Sequence, residues 1–353
     1  MVKKKIMIDV LTPKQALLFG KVKEKLEDKK CRVLLVSRKY VELNNNIFKL
    51  SRIKPIILGE HGGSGLYSKL LSSLKRAIMF SDLMKRFSPD VVLSFSSPEA
   101  ARVAFGLSIP HISVNDSPHS TYVAKLTIPL SRKLLTPKVV GKDAWVKYGI
   151  SSENIVVYNS LDPVAWLRDF VPNSRILKKY GLSEGEYIVY RPEEYKASYL
   201  NNSRLTIEML YRVYSKEEYL KKLKLVIVPR YEKRTYKSLF RDGNVIILDH
   251  GEDTRSILFY SKFFIGAGGT MNAEAVLMGV PTASLYPSST LVEQFLVKKG
   301  LLVKLTSENS LCQWLRENAL TEYDKERRKK SLMKIREMED PAEKIAETCL
   351  KTI

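Results

Sequence analysis

Short apolar runs alternate with longer stretches in which apolar residues return at helical spacing, from one end of the chain to the other. Runs rich in Val, Ile and Leu occupy 5–10, 32–37, 55–58, 91–95, 111–114, 133–136 and 155–158. They read as strands buried on both faces, because a strand wetted on one side would alternate apolar with polar. A second series follows at 187–190, 225–228, 245–248, 263–266 and 282–285. Helical patterns lie between them at 66–87, 201–219, 231–240, 254–261, 270–278 and 291–299. In 66–87 the spacing puts Leu66, Leu70, Leu74, Ile78 and Phe87 near one face. Lys69, Lys75, Arg76, Lys85 and Arg86 are then expected to face water. Pro13 and Pro98 each stand just past a strand, where the fixed φ of proline suits the first turn of a helix.

Strands alternating with helices predict parallel sheets covered on both faces. At 353 residues the chain exceeds what one core usually holds, so two such sheets are expected. The interval 159–185 has no clear strand and contains NSLDP, Pro172 and Gly181, which places the junction there. The expected organisation is a first Rossmann-like domain at 1–160 and a linker at 161–184. A second Rossmann-like domain follows at 185–323, then C-terminal helices at 324–353 interrupted by Pro341. The expected class is α/β, two doubly wound domains facing a cleft. Open parallel sheets bind ligands beyond the C-terminal ends of their strands, so each loop that follows a strand is a candidate site.

One such loop stands out. FFIGAGGTMNAEAVLMGVP, residues 263–281, reads strand, glycine-rich turn, helix, second turn. Gly268 and Gly269 let backbone N–H groups approach an anion with no Cβ in the way, and the helix start adds unpaired donors and partial positive charge. Thr270 can cap that helix or give its hydroxyl to a phosphate. Glu274, a turn further on, can accept the hydroxyls of a ribose. The competing reading is a plain tight turn in which Glu274 only complements the helix dipole; the Glu274 spacing and the following LMGVP favour the phosphate grip. The first strand runs into DVLTPKQ without GxGxxG, and no GK[ST] follows any glycine turn, so neither a dinucleotide fingerprint nor a Walker loop is present.

Other strand-end loops carry chemistry. VNDSPHS (114–120) places Asp116 and His119 in one turn, which suits a general base for an acceptor hydroxyl. It also suits an Asx turn at Asp116 and a capping histidine. GEHGGSG (59–65) surrounds His61 with Gly62 and Gly63, a loop open to substrate or able to hinge, although a lone histidine is more often structural. In SSPEAARVA (96–104), Ser96 or Ser97 and Glu99 read as helix capping. YRPEEYKASY (190–199) concentrates Arg191, Glu193, Glu194 and Lys196, with local ion pairing an equal reading for Glu194 and Lys196.

The segment GAGGTMNAEAVLMGVP resembles the C-terminal-domain signature of the GT-B glycosyltransferases and the non-hydrolysing UDP-N-acetylglucosamine 2-epimerases. That resemblance implies a GT-B-like fold, phosphate held at Gly268, Gly269 and Thr270, and ribose at Glu274. It also implies a role near the nucleotide-sugar for Arg191, whose planar fork fits phosphate or base, and a nucleobase near His250 and Gly251. Over nearly its full length the chain is similar to the largely archaeal domain-of-unknown-function-354 family. IDVLTP, GEHGG, SPEAARVAFGLSIPHISVNDSPHS, YRPEEYKASY and IGAGGTMNAEA carry that likeness. The family name supplies no reaction. DVLTPKQ departs from the glycine-rich first loop of many sugar transferases, so no acceptor site is carried over.

Charge adds a partner class. The net charge is +21, and residues 1–160 hold 27 Lys+Arg against 12 Asp+Glu, whereas 161–353 hold 32 against 26. The surplus attracts polyanions, and its concentration in the first half argues against general surface enrichment alone. Cys31, Cys312, Cys349 and the four histidines are scattered without metal-ligand or disulfide spacing. No resident metal or tightly bound cofactor is expected, only a nucleotide-diphosphate sugar as co-substrate. MVKKKIMIDVL is basic then apolar, but Asp9 interrupts it, and no run reaches the roughly 18 apolar residues of a membrane span. A cytoplasmic protein is expected, with peripheral contact to the inner membrane face. The expected activity is glycosyl transfer from a UDP-sugar to an anionic or lipid-linked acceptor. The alternatives are sugar-nucleotide 2-epimerisation and a non-catalytic polyanion- or membrane-surface binder; interleaved aromatic stacking platforms for nucleic acid are lacking.

Overall fold

A computed structural model describes residues 3–40, 43–193, 205–230, 236–237 and 244–353. Glu194, Lys196 and most of the helix expected at 231–240 lie outside the described residues. The chain forms two compact units, Met1–Trp166 with Met338–Ile353, and Leu167–Glu337.

The first unit is built on β1 (Lys5–Val10), β2 (Arg32–Lys39), β3 (Ile56–Glu60), β4 (Val91–Ser94), β5 (His111–Val114), β6 (Lys133–Pro137) and β7 (Ile155–Tyr158). They form one parallel sheet in the order β3-β2-β1-β4-β5-β6-β7. The order reverses between β1 and β4, where Asp9 stands opposite Ser94. As the prolines predict, Pro13–Asp28 and Pro98–Gly106 are helices with proline in the first turn. Ser97 caps the second by accepting from Ala100 N–H at 3.3 Å. The crossovers between β3, β4, β5 and β6 set the helices Leu66–Phe87, Pro98–Gly106 and Thr121–Thr127 side by side over one face of the sheet. The helix Pro341–Thr352 covers Pro13–Asp28 on the other.

The helix Leu66–Phe87 is turned away from its expected orientation. It buries Arg76, Phe80, Leu83, Met84 and Phe87, while Leu66, Leu70, Leu74 and Ile78 are exposed. Its apolar positions are too many for one buried face, and Arg76 can enter the interior because it is fully paired there. The guanidinium donates to Asp9 Oδ2 at 3.0 Å, to Asp9 Oδ1 at 2.5 Å and to the Leu58 carbonyl at 3.1 Å. A buried guanidinium so satisfied does not carry the penalty that pattern reading assigns to it.

The second unit holds β8 (Tyr187–Arg191), β9 (Lys224–Ile227), β10 (Val245–Ile247), β11 (Phe263–Gly266), β12 (Thr282–Ser284) and β13 (Val303–Lys304). The sheet is again parallel, in the order β10-β9-β8-β11-β12-β13. Its reversal falls between β8 and β11, where Arg191 is directly opposite Gly266. Ile188, Tyr190, Leu225, Ile227, Phe263 and Ile265 form the core on one face with Leu311, Trp314 and Leu315.

Residues 161–184, expected as a linker, are packed structure. Short helices span Val164–Leu167 and Arg175–Lys179, and Val164, Trp166 and Leu177 are buried. The terminal segment 324–353 is divided. Lys325–Glu337 belongs to the second unit, where Arg328 donates to the carbonyls of Phe259 and Lys262, and Pro341–Thr352 belongs to the first.

Candidate functional site

The glycine turn lies at the strand reversal of the second sheet, which is where doubly wound sheets open a crevice beyond their strand ends. β11 ends at Gly266, and the helix Gly269–Leu277 begins three residues later. Gly266 has no room for a side chain, because a Cβ there would collide with Asn272 Oδ1. Asn272 is buried, and that oxygen has no hydrogen-bond partner. Gly268 is the N-cap residue with extended backbone, and no side chain caps the helix. Thr270 therefore does not act as the cap; it lies half-buried in the first turn, and Gly269 beside it is exposed. The first-turn N–H groups, left to themselves, suit an anion.

Two arginines flank this turn. Arg191 accepts at its carbonyl from Ala267 N–H (2.8 Å), while its guanidinium donates to the carbonyls of Val228 (3.1 Å) and Pro229 (2.7 Å). It thereby fixes the loop that carries Arg230. A Cβ at Gly268 would lie 2.8 Å from Arg230 Nη2, so that guanidinium sits against the turn, held by its Nε donating to Pro192 O at 2.8 Å. Arg230 is the residue that sequence reasoning missed; the signal was an arginine two residues beyond the strand predicted at 225–228. Glu193 is buried, accepts at one oxygen from the Thr206 hydroxyl, and has no partner at the other.

Glu274 is 4% exposed on the helix beyond the turn. Arg255, clamped by Asp253 at 2.8 Å through both Nε and Nη2, feels the Glu274 charge; burial works against its protonated form, but the two carboxylates outweigh it. His250 is half-buried in the turn after β10, beside Gly251 at φ +78°. Gly268, Gly269, Thr270, Glu274, Arg191 and His250 thus all belong to the second unit, with the glycine turn and Arg191 in direct register.

Asp116, His119, His61, Gly62 and Gly63 belong to the first unit, on loops after β5 and β3. The Asp116 carboxylate meets Lys14 Nζ at 2.5 Å and accepts from the Ser117 hydroxyl at 2.8 Å. Lys14 also meets Asp162 at 2.7 Å, and Asp162 accepts in turn from the Tyr158 hydroxyl. Burial pushes the Asp116 carboxyl up, but the Lys14 cation and these hydrogen bonds prevail and hold it below the ordinary range. Burial lifts Asp162 above it, with Lys14 opposing and the Asp116 charge adding. Lys14 and Asp162 were not singled out in the sequence, because only the fold brings residues 14, 116 and 162 together.

His119 opens to solvent on one side, and the protein packed on the other partly desolvates the ring and lowers its pKa, with Asp116 opposing. It does not cap a helix, since the next one begins at Thr121 without a side-chain cap. Nor is Asp116 the Asx-turn residue: Asn115 Oδ1 accepts from Ser117 N–H at 2.8 Å. His61 Nδ1 accepts from Gly63 N–H at 3.1 Å, and its ring lies 4.8 Å from that of Tyr40, so this histidine shapes its own loop. Gly62 packs on the backbone of Ser68 and Lys69, and Gly63 takes φ +73°, a conformation that favours glycine. Among the described residues no cluster of His, Cys, Asp and Glu is placed to hold a metal ion, and no helix is long and apolar enough to cross a membrane.

The family described as proteins of unknown function, DUF354, matches residues 4–353. The chain belongs to the DUF354 family. An uncharacterized protein of Methanocaldococcus jannaschii is 30% identical over 323 residues, covering 89% of this chain and 91% of that protein. Among solved structures, this DUF354 chain resembles the M. jannaschii UDP-GlcNAc 2-epimerase in complex with UDP-GlcNAc and UDP. The TM-score is 0.73 at 15% identity, over 98% of this chain and 99% of that one. It also resembles the glycotransferase of kitacinnamycin, with a TM-score of 0.62 at 13% identity over 100% of both chains. These likenesses establish the fold as GT-B-like, two parallel sheets with helices on their faces.

Proposed function

We propose that this DUF354 protein is a glycosyltransferase that takes a UDP-sugar at the strand reversal of its second unit and transfers the sugar to an anionic or lipid-linked acceptor. The observation that carries the reading is the pairing of Arg191 with Gly266 at that reversal, with Arg230 set against Gly268. Backbone donors, a helix start and a guanidinium there converge where a diphosphate would sit. The solved relatives support it, since one holds UDP-GlcNAc and UDP and another is a glycotransferase.

In this reading the N–H groups of Gly269 and Thr270, the Thr270 hydroxyl and Arg230 bind the diphosphate, Arg191 positions Arg230, and Glu274 accepts the ribose hydroxyls. His250 lies on the base side. The acceptor oxygen forms its bond to the anomeric carbon as the bond from that carbon to the diphosphate breaks. The diphosphate leaves with the electron pair, its charge met by the turn and Arg230 without a resident metal. The acceptor proton goes to His119, a stronger base than the Lys14-bound Asp116. His61, Gly62 and Gly63 form a shaped loop on the acceptor side.

Thermal shift against a panel of nucleoside diphosphates tests the donor. UDP should raise the unfolding midpoint of the wild type and not of Glu274→Gln. No shift with any member of the panel sinks the reading. The epimerase relative favours a second activity, 2-epimerisation of UDP-GlcNAc. Epimer formed from UDP-GlcNAc alone, with no acceptor present, would establish it instead.

A further inference from the structure

The three helices that lie side by side on the first sheet carry apolar side chains on their outer surfaces. On Leu66–Phe87 these are Leu66, at 80% exposure, Tyr67, Leu70, Leu71, Leu74 and Ile78, at 66%. Phe105 and Leu107, at the end of the middle helix, and Tyr122, at 84%, with Leu126 on the third, are exposed as well. An apolar area running over three adjacent helices is more than the scattered single residues an ordinary surface shows.

The charges interleaved with it are positive but for one. Lys75, Lys85, Arg86, Arg102 and Lys125 are exposed on these helices, and the only exposed carboxylate among them is Asp82. Their other acid, Glu99, is buried in the first turn of Pro98–Gly106, 3.8 Å from Arg76. Residues 66–75 of this helix bury no side chain; the buried ones, Arg76, Phe80, Leu83, Met84 and Phe87, all lie further along it, so the leucines of its N-terminal part are left turned outward.

We infer that this three-helix face docks on an anionic lipid surface. The apolar side chains enter the boundary between headgroups and acyl chains, and Lys75, Lys85, Arg86, Arg102 and Lys125 meet the lipid phosphates. The charge pattern selects the occupant. Two copies of this chain pairing through the same face would bring five cations against five with one carboxylate each to offset them, whereas an anionic membrane neutralises all five. The inference stands on the first unit alone and does not rest on the UDP-sugar reading, although it would bring a lipid-linked acceptor to the enzyme.

Flotation of the full chain with phosphatidylcholine vesicles, with and without phosphatidylglycerol as about a third of the lipid, tests it. Binding should require the anionic lipid and weaken as salt is raised. Each of Lys75→Gln and Arg86→Gln should lower vesicle affinity about fivefold. Leu70→Asp/Leu74→Asp should abolish binding while circular dichroism and the UDP thermal shift stay as in the wild type, since both residues are exposed. Absence of binding to anionic vesicles overturns the inference, as does equal binding to neutral ones. It is also overturned if light scattering shows a dimer that Leu70→Asp/Leu74→Asp converts to monomer, for the face would then be an interface between copies. Vesicle binding with no nucleotide response leaves the docking surface in place and removes only the transfer reading.

Discussion

In the proposed UDP-sugar site Arg230 and Glu274 would address different parts of a nucleotide, and that separates their expected effects. The Arg230 guanidinium lies against the Gly268 turn, where the proposed site puts the diphosphate, whereas a ribose anchor at Glu274 would serve nucleoside and nucleotide alike. A charge-assisted hydrogen bond is worth roughly 1.5–3 kcal/mol. Arg230→Ala should therefore weaken UDP at least about tenfold in calorimetry and leave uridine unchanged; equal loss for both would remove Arg230 from the phosphate site. The proton acceptor is separable by pH. The His119 pKa is depressed from 6.5, chiefly by burial, so the neutral form that accepts a proton prevails at neutral pH and is lost only as pH falls through that lowered value. The rate should hold level above pH 6.5 and decline below it, with His119→Gln removing the decline. If Asp116 were the base, its limb would fall below about pH 4, the ordinary aspartate value, because Lys14 holds it lower still.

At the level of elements, the strands were legible because burial on both faces writes them as unbroken Val, Ile and Leu runs, and each of the twelve expected ones is present within a residue or two. β13 has only two residues, Val303 and Lys304, too few for any period to register. Helix boundaries were legible where local chemistry sets them, as at Ser97 and Pro98. The facing of Leu66–Phe87 was not, because it depends on a partner from another element. Only the folded sheet brings Asp9 within reach of Arg76, and no spacing within residues 66–87 announces that pairing. The candidate site divides in the same way. Gly268, Gly269, Thr270 and Glu274 are contiguous and could be read from a turn and a helix start. Arg230 and the Lys14–Asp116–Asp162 cluster join residues far apart in sequence, and only the strand order reveals them.

For the whole molecule, the path of the chain has an energetic consequence. Residues from Met338 onward belong to the first unit although the entire second unit precedes them in sequence. Ala342, Ile345, Ala346 and Cys349 are wholly buried in the helix that covers Pro13–Asp28. Ile345→Ala leaves a cavity in the first unit, at a cost of about 2–5 kcal/mol. Tryptophans report the units separately, since Trp145 and Trp166 lie in the first and Trp314 in the second. With Trp314→Phe the emission follows the first unit, and Ile345→Ala should move that denaturation midpoint down. With Trp145→Phe/Trp166→Phe the emission follows the second, whose midpoint should stay put and should rise with UDP in both backgrounds. Equal shifts in the two reporters would mean that the units unfold as one, so that damage under the last helix reaches the nucleotide site. Unequal shifts mean that a lesion at residue 345 weakens the half that carries the docking face and spares the half that carries the glycine turn.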